Sequence, residues 1–85
     1  MTMRPEQHID NLNKYIKEYP SALPFEDAKL ELFKSDPRAL DAAIDYIIAL
    51  FSKIGLGENF APTMDGIILD ACLEFLTDLR EEINS

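Results

Sequence analysis

Residues 35–55 read SDPRALDAAIDYIIALFSKIG, and this stretch decides the fold class. Ser35 or Asp36 can accept hydrogen bonds from the free N–H groups of a first helical turn, and Pro37 suits the first helical position, where its missing donor costs nothing. Leu40, Ala43, Ile44, Ile47, Ile48, Leu50, Phe51 and Ile54 then recur at helical spacing over more than half the circumference. Arg38, Asp41, Asp45, Ser52 and Lys53 take the remainder. Gly55 is expected to close this helix in the left-handed conformation that glycine adopts most cheaply.

Working outward, GLGENFAP at 55–62 is the one substantial connection, and Thr63 is a plausible N-cap for a last helix running to about Ile83. Asp65 falls in its first turn, where an acid complements the helix dipole. The apolar residues of this helix, among them Met64, Ile67, Leu69, Cys72, Leu73, Leu76 and Leu79, cover an arc of roughly 200°. One neighbouring helix cannot cover such an arc. The helix is therefore expected either to sit centrally or to offer an outer flank, Leu69 and Leu73, to a second copy of the chain.

Toward the N-terminus, Ile9, Leu12, Ile16 and Tyr19, flanked by His8 and Tyr15, form a narrow apolar stripe on a helix from about Pro5 that Pro20 stops. PSALP at 20–24 reads as a turn, and Pro24 to about Lys34 as a short helix. Phe25, Ala28 and Leu32 share its face while Leu30 and Phe33 point elsewhere. No stretch alternates with period two for long enough to make a sheet. The expected fold is all-α: one domain over residues 1–85, a four-helix bundle or an orthogonal helical array.

A chain of 85 residues carrying 47% hydrophobic residues folds as one small domain that buries about 60% of its unfolded surface. A single cysteine cannot form an internal disulfide, which favours a reducing, cytoplasmic setting. The richest apolar run, from Ile44 to Ile54, is interrupted by Asp45, Ser52 and Lys53, so no membrane span is expected. The first ten residues, MTMRPEQHID, lack the apolar core of a secretory signal. Sixteen acids against eight bases give a net charge of −8, which repels nucleic acid and anionic membranes and favours fast, salt-sensitive association with a basic protein.

Catalytic chemistry finds little support. Cys72 has apolar neighbours at helical spacing, which raise a thiol's pKa, and His8 is the only histidine, too few for a Cys/His metal site. The serines lack a Gly-X-Ser-X-Gly elbow, and GLG at 55–57 lacks the lysine of a phosphate loop. Carboxylates are abundant: Asp41 and Asp45 lie four apart on the third helix, and Asp70, Glu74 and Asp78 repeat that spacing on the fourth. They form neither a calcium loop nor a di-iron motif, so no metal, cofactor or catalytic residue is assigned, and a carboxylate metal site or enzyme stands as the weakest reading.

The row Asp70, Glu74 and Asp78, continued by Glu81 and Glu82, carries like charges at i and i+4 near a helix C-terminus. Both arrangements cost stability. The row serves either as a solvated face or as a docking face whose cost a basic partner converts into affinity. Leu56, Glu58, Asn59 and Phe60 in the long connection resemble the anchors of a binding loop, unless the two apolar side chains tuck beneath it. The expected function is a small acidic protein-binding module acting by stoichiometric association, of the physical type of an immunity or antitoxin inhibitor. Its partner would be a basic protein such as a toxin or nuclease, met by Asp41, Asp45, Phe60, Asp70, Glu74 and Asp78. The alternative is a structural or regulatory homo-oligomer, a homodimer in its simplest form, assembled through Leu69 and Leu73.

Overall fold

A computed structural model describes residues 4–84, apart from the Phe60 side chain. The fold is all-α, with four helices: α1 (Pro5–Glu18), α2 (Leu30–Ser35), α3 (Pro37–Ile54) and α4 (Met64–Asn84). A single 3-10 turn, Glu58–Phe60, lies in the connection between the last two. α4 packs against both α3 and α1, and α2 closes the circle between α1 and α3. The buried side chains form one cluster, in which Leu12, Phe33, Leu40, Ile47, Leu69, Cys72 and Leu76 are almost wholly removed from solvent. Among the described residues no charged side chain is buried.

The start of α3 follows its sequence signal. Asp36 is the cap, its Oδ1 accepting from the N–H groups of Arg38 at 3.0 Å and Ala39 at 3.4 Å, with Pro37 at the first helical position. Thr63 caps α4 as expected, its hydroxyl accepting from Gly66 N–H at 3.0 Å. That hydroxyl also donates to the Ile54 carbonyl at 2.8 Å, and Thr63 N–H donates to the Gly55 carbonyl at 2.9 Å. One residue therefore satisfies orphan groups at the end of one helix and the beginning of the next.

Four expectations are corrected. Gly55 is not left-handed: it sits at φ −80° and ψ −16°, in the right-handed helical region. Glycine is needed there for space, because a Cβ would stand 2.6 Å from both the Phe51 ring and the Phe51 carbonyl oxygen. Gly66 on α4 presses on the same point, where a Cβ would come within 2.1 Å of the Gly55 carbonyl oxygen. The two glycines let α3 and α4 converge where the chain turns back.

The second helix is shorter than expected, beginning at Leu30 rather than Pro24. Its expected first half is an irregular strap, and Asn13 of α1 explains why. The Asn13 side-chain oxygen accepts from Ala28 N–H at 2.6 Å, and its NH₂ donates to the Ala28 carbonyl at 3.0 Å. This pair satisfies the main chain of a buried residue without a helix. Phe33, expected off the packed face, is fully buried, and Phe25 meets its ring edge-on at 5.5 Å between centroids.

Of the two placements open to α4, the central one is seen and the outer flank is not: Leu69 is completely buried, and Leu73 packs against the core. The wide apolar arc of α4 is divided between α3 on one side and α1 on the other. Its exposed apolar residues are instead Met64 and Ile67.

Candidate protein-binding face

Two contacts set how α3 and α4 lie side by side: Gly55 against Gly66 at one end, and Asp41 with Arg80 at 3.3 Å at the other. Both fit one antiparallel register, so Ile48 lies level with Leu73 and Asp45 with Leu76. On α3, Asp41, Asp45, Ile48 and Ser52 follow at intervals of four, three and four, and all are exposed. On α4, Ile67, Asp70, Glu74, Asp78 and Glu81 follow at three, four, four and three, again all exposed. Each helix thus turns one row of acids outward with an isoleucine set in it.

The five acids singled out from sequence are therefore on one side of the molecule, spread over two helices rather than converging on a point. Asp41 is the one with a cationic partner there, and since that ion pair is itself exposed it is worth at most about 1 kcal/mol. Phe60, the proposed apolar anchor, has its side chain outside the described residues. Its loop is pinned at both ends by an antiparallel bridge between Leu56 and Pro62, with Asn59 at φ +60°, a conformation asparagine tolerates better than most. Leu56 remains 38% exposed, so it does not tuck beneath the loop.

Sequence reasoning missed two residues of this face. Ile48 is 49% exposed and Ile67 57%, although both had been counted among core-facing apolar positions. A signal was available: on a helical wheel Ile48 lies among Asp41, Asp45 and Ser52, and Ile67 precedes Asp70 by three.

The groups that could perform covalent chemistry are placed unfavourably for it. Cys72 is buried between α1 and α4 with its sulfur 3.6 Å from the His8 carbonyl oxygen, and burial pushes the thiol up to about 11, leaving little thiolate at neutral pH. His8 lies flat on Phe75, with centroids 4.8 Å apart and rings tilted by 10°. Burial lowers its pKa below 6.5, and its buried Nδ1 has no hydrogen-bond partner among the described residues. The Tyr15 hydroxyl donates to Asp65 at 2.8 Å, and its pKa is raised by burial and then by that carboxylate. The Tyr46 hydroxyl lies 2.9 Å from the Tyr15 carbonyl and 2.8 Å from the Tyr19 carbonyl, tying α3 to the end of α1.

Among the described residues no three His, Cys, Asp or Glu side chains gather as a metal-ligand set, and no helix is long and apolar enough to cross a membrane. One cleft of about 440 Å³ is an open groove between α1 and the strap that includes Asn13 and Ala28, both already engaged with each other. Comparison with models of protein families, with curated proteins and with solved structures finds no match to this chain.

Proposed function

We propose that this chain is a small acidic protein-binding module that acts by stoichiometric association, covering a basic partner protein with the outer face of α3 and α4. In its most concrete form the partner is a toxin or nuclease whose cationic surface this face occludes, in the manner of an immunity protein or antitoxin. A reducing, cytoplasmic setting suits its single thiol.

The observation that carries this reading is the uneven placement of charge. From Pro37 onward there are nine acids against three bases, whereas the residues before it carry seven against five. The excess lies on the α3–α4 side, where exposed acids at helical repeats repel one another and weaken the helices that carry them. A cationic surface docked there relieves that repulsion, and its approach is accelerated by the field of the whole row.

Affinity capture at low salt from cells that make the protein, followed by titration of the purified partner, tests the reading. The expected result is a basic protein bound one to one, with an affinity that falls steeply as salt rises. Asp70→Asn, Glu74→Gln and Asp78→Asn together should weaken it about tenfold or more, while the variant itself becomes slightly more stable. A partner held with full strength by the triple variant, or no basic protein retained at low salt, overturns the proposal.

A further inference from the structure

The acids on the outer face of α3 and α4 leave unexplained why isoleucine stands among them. Ile48 shares its stripe with Asp41, Asp45 and Ser52, and Ile67 shares its stripe with Asp70, Glu74 and Asp78. Ile48 is 49% exposed and Ile67 57%. A face used only for solubility has no need of them, because exposed β-branched side chains neither favour a helix nor gain from water.

We infer that the α3–α4 face accepts an amphipathic cationic helix, whose apolar stripe covers Ile48 and Ile67 and whose lysines or arginines flank it against Asp45, Asp70 and Glu74. This deepens the function proposed above and rests on it: the acidic face supplies the sign of the partner, and the isoleucines supply its shape. Charge complementarity selects the occupant. A second copy of this chain would bring a net −8 against the same acids, whereas a cationic helix neutralises them as it buries the apolar atoms. Two antiparallel helices packed side by side leave a shallow seam between them, and a helix laid along a groove with anchors at helical spacing is a common way to fill such a surface. Apolar anchors surrounded by charge divide the work, the anchors holding the complex and the charges governing encounter and salt dependence.

The test uses two synthetic peptides of equal positive charge titrated into the isotopically labelled full chain and followed by amide chemical shifts. One is a lysine–leucine helix with leucine on a single face; the other replaces leucine by serine. At physiological salt the leucine peptide should bind about tenfold tighter, with shifts confined to α3 and α4. Ile48→Ala with Ile67→Ala should remove that advantage without loss of helicity, because both side chains are exposed and alanine favours helix. Asp45→Asn with Glu74→Gln should weaken both peptides and flatten their salt dependence.

Equal binding of the two peptides, unaffected by the isoleucine substitutions, overturns the helix-docking inference while leaving the acidic-face function standing. Failure of both peptides to bind even at low salt overturns the two together. Shifts centred on α1 or the strap overturn the location. A dimer that the isoleucine substitutions dissolve makes the occupant a second copy, and it too overturns the inference.

Discussion

Up to Asp36 the chain is fastened by side chains that reach across to main chain, and from Pro37 onward largely by main chain that comes close to main chain. In the first part Asn13 brackets Ala28, and Tyr46 reaches in from α3 to the carbonyls of Tyr15 and Tyr19. In the second, Gly66 abuts Gly55 across a turn that Thr63 closes from both ends. The first part joins α1 through an irregular strap to the short α2 and is nearly neutral; the second is two long helices carrying most of the net charge. Long, well-capped helices can tolerate a repulsive row, because each like-charge pair costs only a few tenths of a kcal/mol against the burial of a broad apolar arc. A six-residue helix and a strap have no such reserve.

The largest effect should come from emptying the place where the two parts meet. Phe33→Ala should cost about 3–5 kcal/mol in urea unfolding, a large share of the stability of a domain this size. If the loss is far smaller, the strap and α2 are ornaments on an independently stable α3–α4 hairpin. Next comes Gly66→Ala, which should cost about 1–3 kcal/mol because its new methyl group meets main chain. Gly57→Ala is the control, since there the nearest atom is a Thr63 methyl at 3.4 Å and the change should be mild. Equal effects would show that the two helices do not depend on their close approach.

Asn13→Ala should cost about 1–3 kcal/mol by leaving the Ala28 main chain buried and unpaired, with faster exchange of the Ala28 amide as the local readout. It probes the first part as Gly66→Ala probes the second. A smaller contribution is pH-dependent. His8 has a pKa lowered by burial in the folded chain, so the unfolded chain binds the proton more readily. Its contribution is absent above the ordinary value of 6.5, and stability should fall as pH drops through 6.5 toward the folded value. His8→Phe should flatten that part of the stability profile, leaving only the carboxylate-driven loss at lower pH. Smallest of all, Asp70→Asn, Glu74→Gln and Asp78→Asn should each raise stability by a few tenths of a kcal/mol in thermal melts at low salt, an effect that added salt erases.

The regular part of the molecule was legible because its signals are local. Asp36 and Thr63 cap with groups two or three residues away, Pro37 simply fills the first helical position, and a 3.6-residue period needs only its own helix to be visible. What escaped depended on distant residues. The strap at 24–29 follows from Asn13, fifteen positions before Ala28, and overrides a weak helical tendency. Glycine at 55 serves the room beside Phe51 rather than a left-handed cap, and the need for glycine at 66 arises only when the hairpin closes on the Gly55 carbonyl. A wide apolar arc says how much of α4 is covered but not by how many neighbours, so it left open both a central helix and an outer flank at Leu69, and it counted the exposed Ile67 with the buried residues. The acids of the candidate face were legible as rows on each helix. That the two rows share one side of the molecule required the register set by Asp41 and Arg80.

The Thr63 hydroxyl, donating to the last carbonyl of α3 and accepting from the first turn of α4, makes one proton network out of two helix ends. Helix termini ordinarily fray one by one, each opening at little cost. Here the exit of one helix and the entry of the next cannot open separately. The amides that follow Thr63 and the last amides of α3 should exchange with a common opening free energy, and Thr63→Val should split that value in two. The turn then behaves as a clasp whose release is a single cooperative event, placed at the end of the molecule beside Met64 and Ile67.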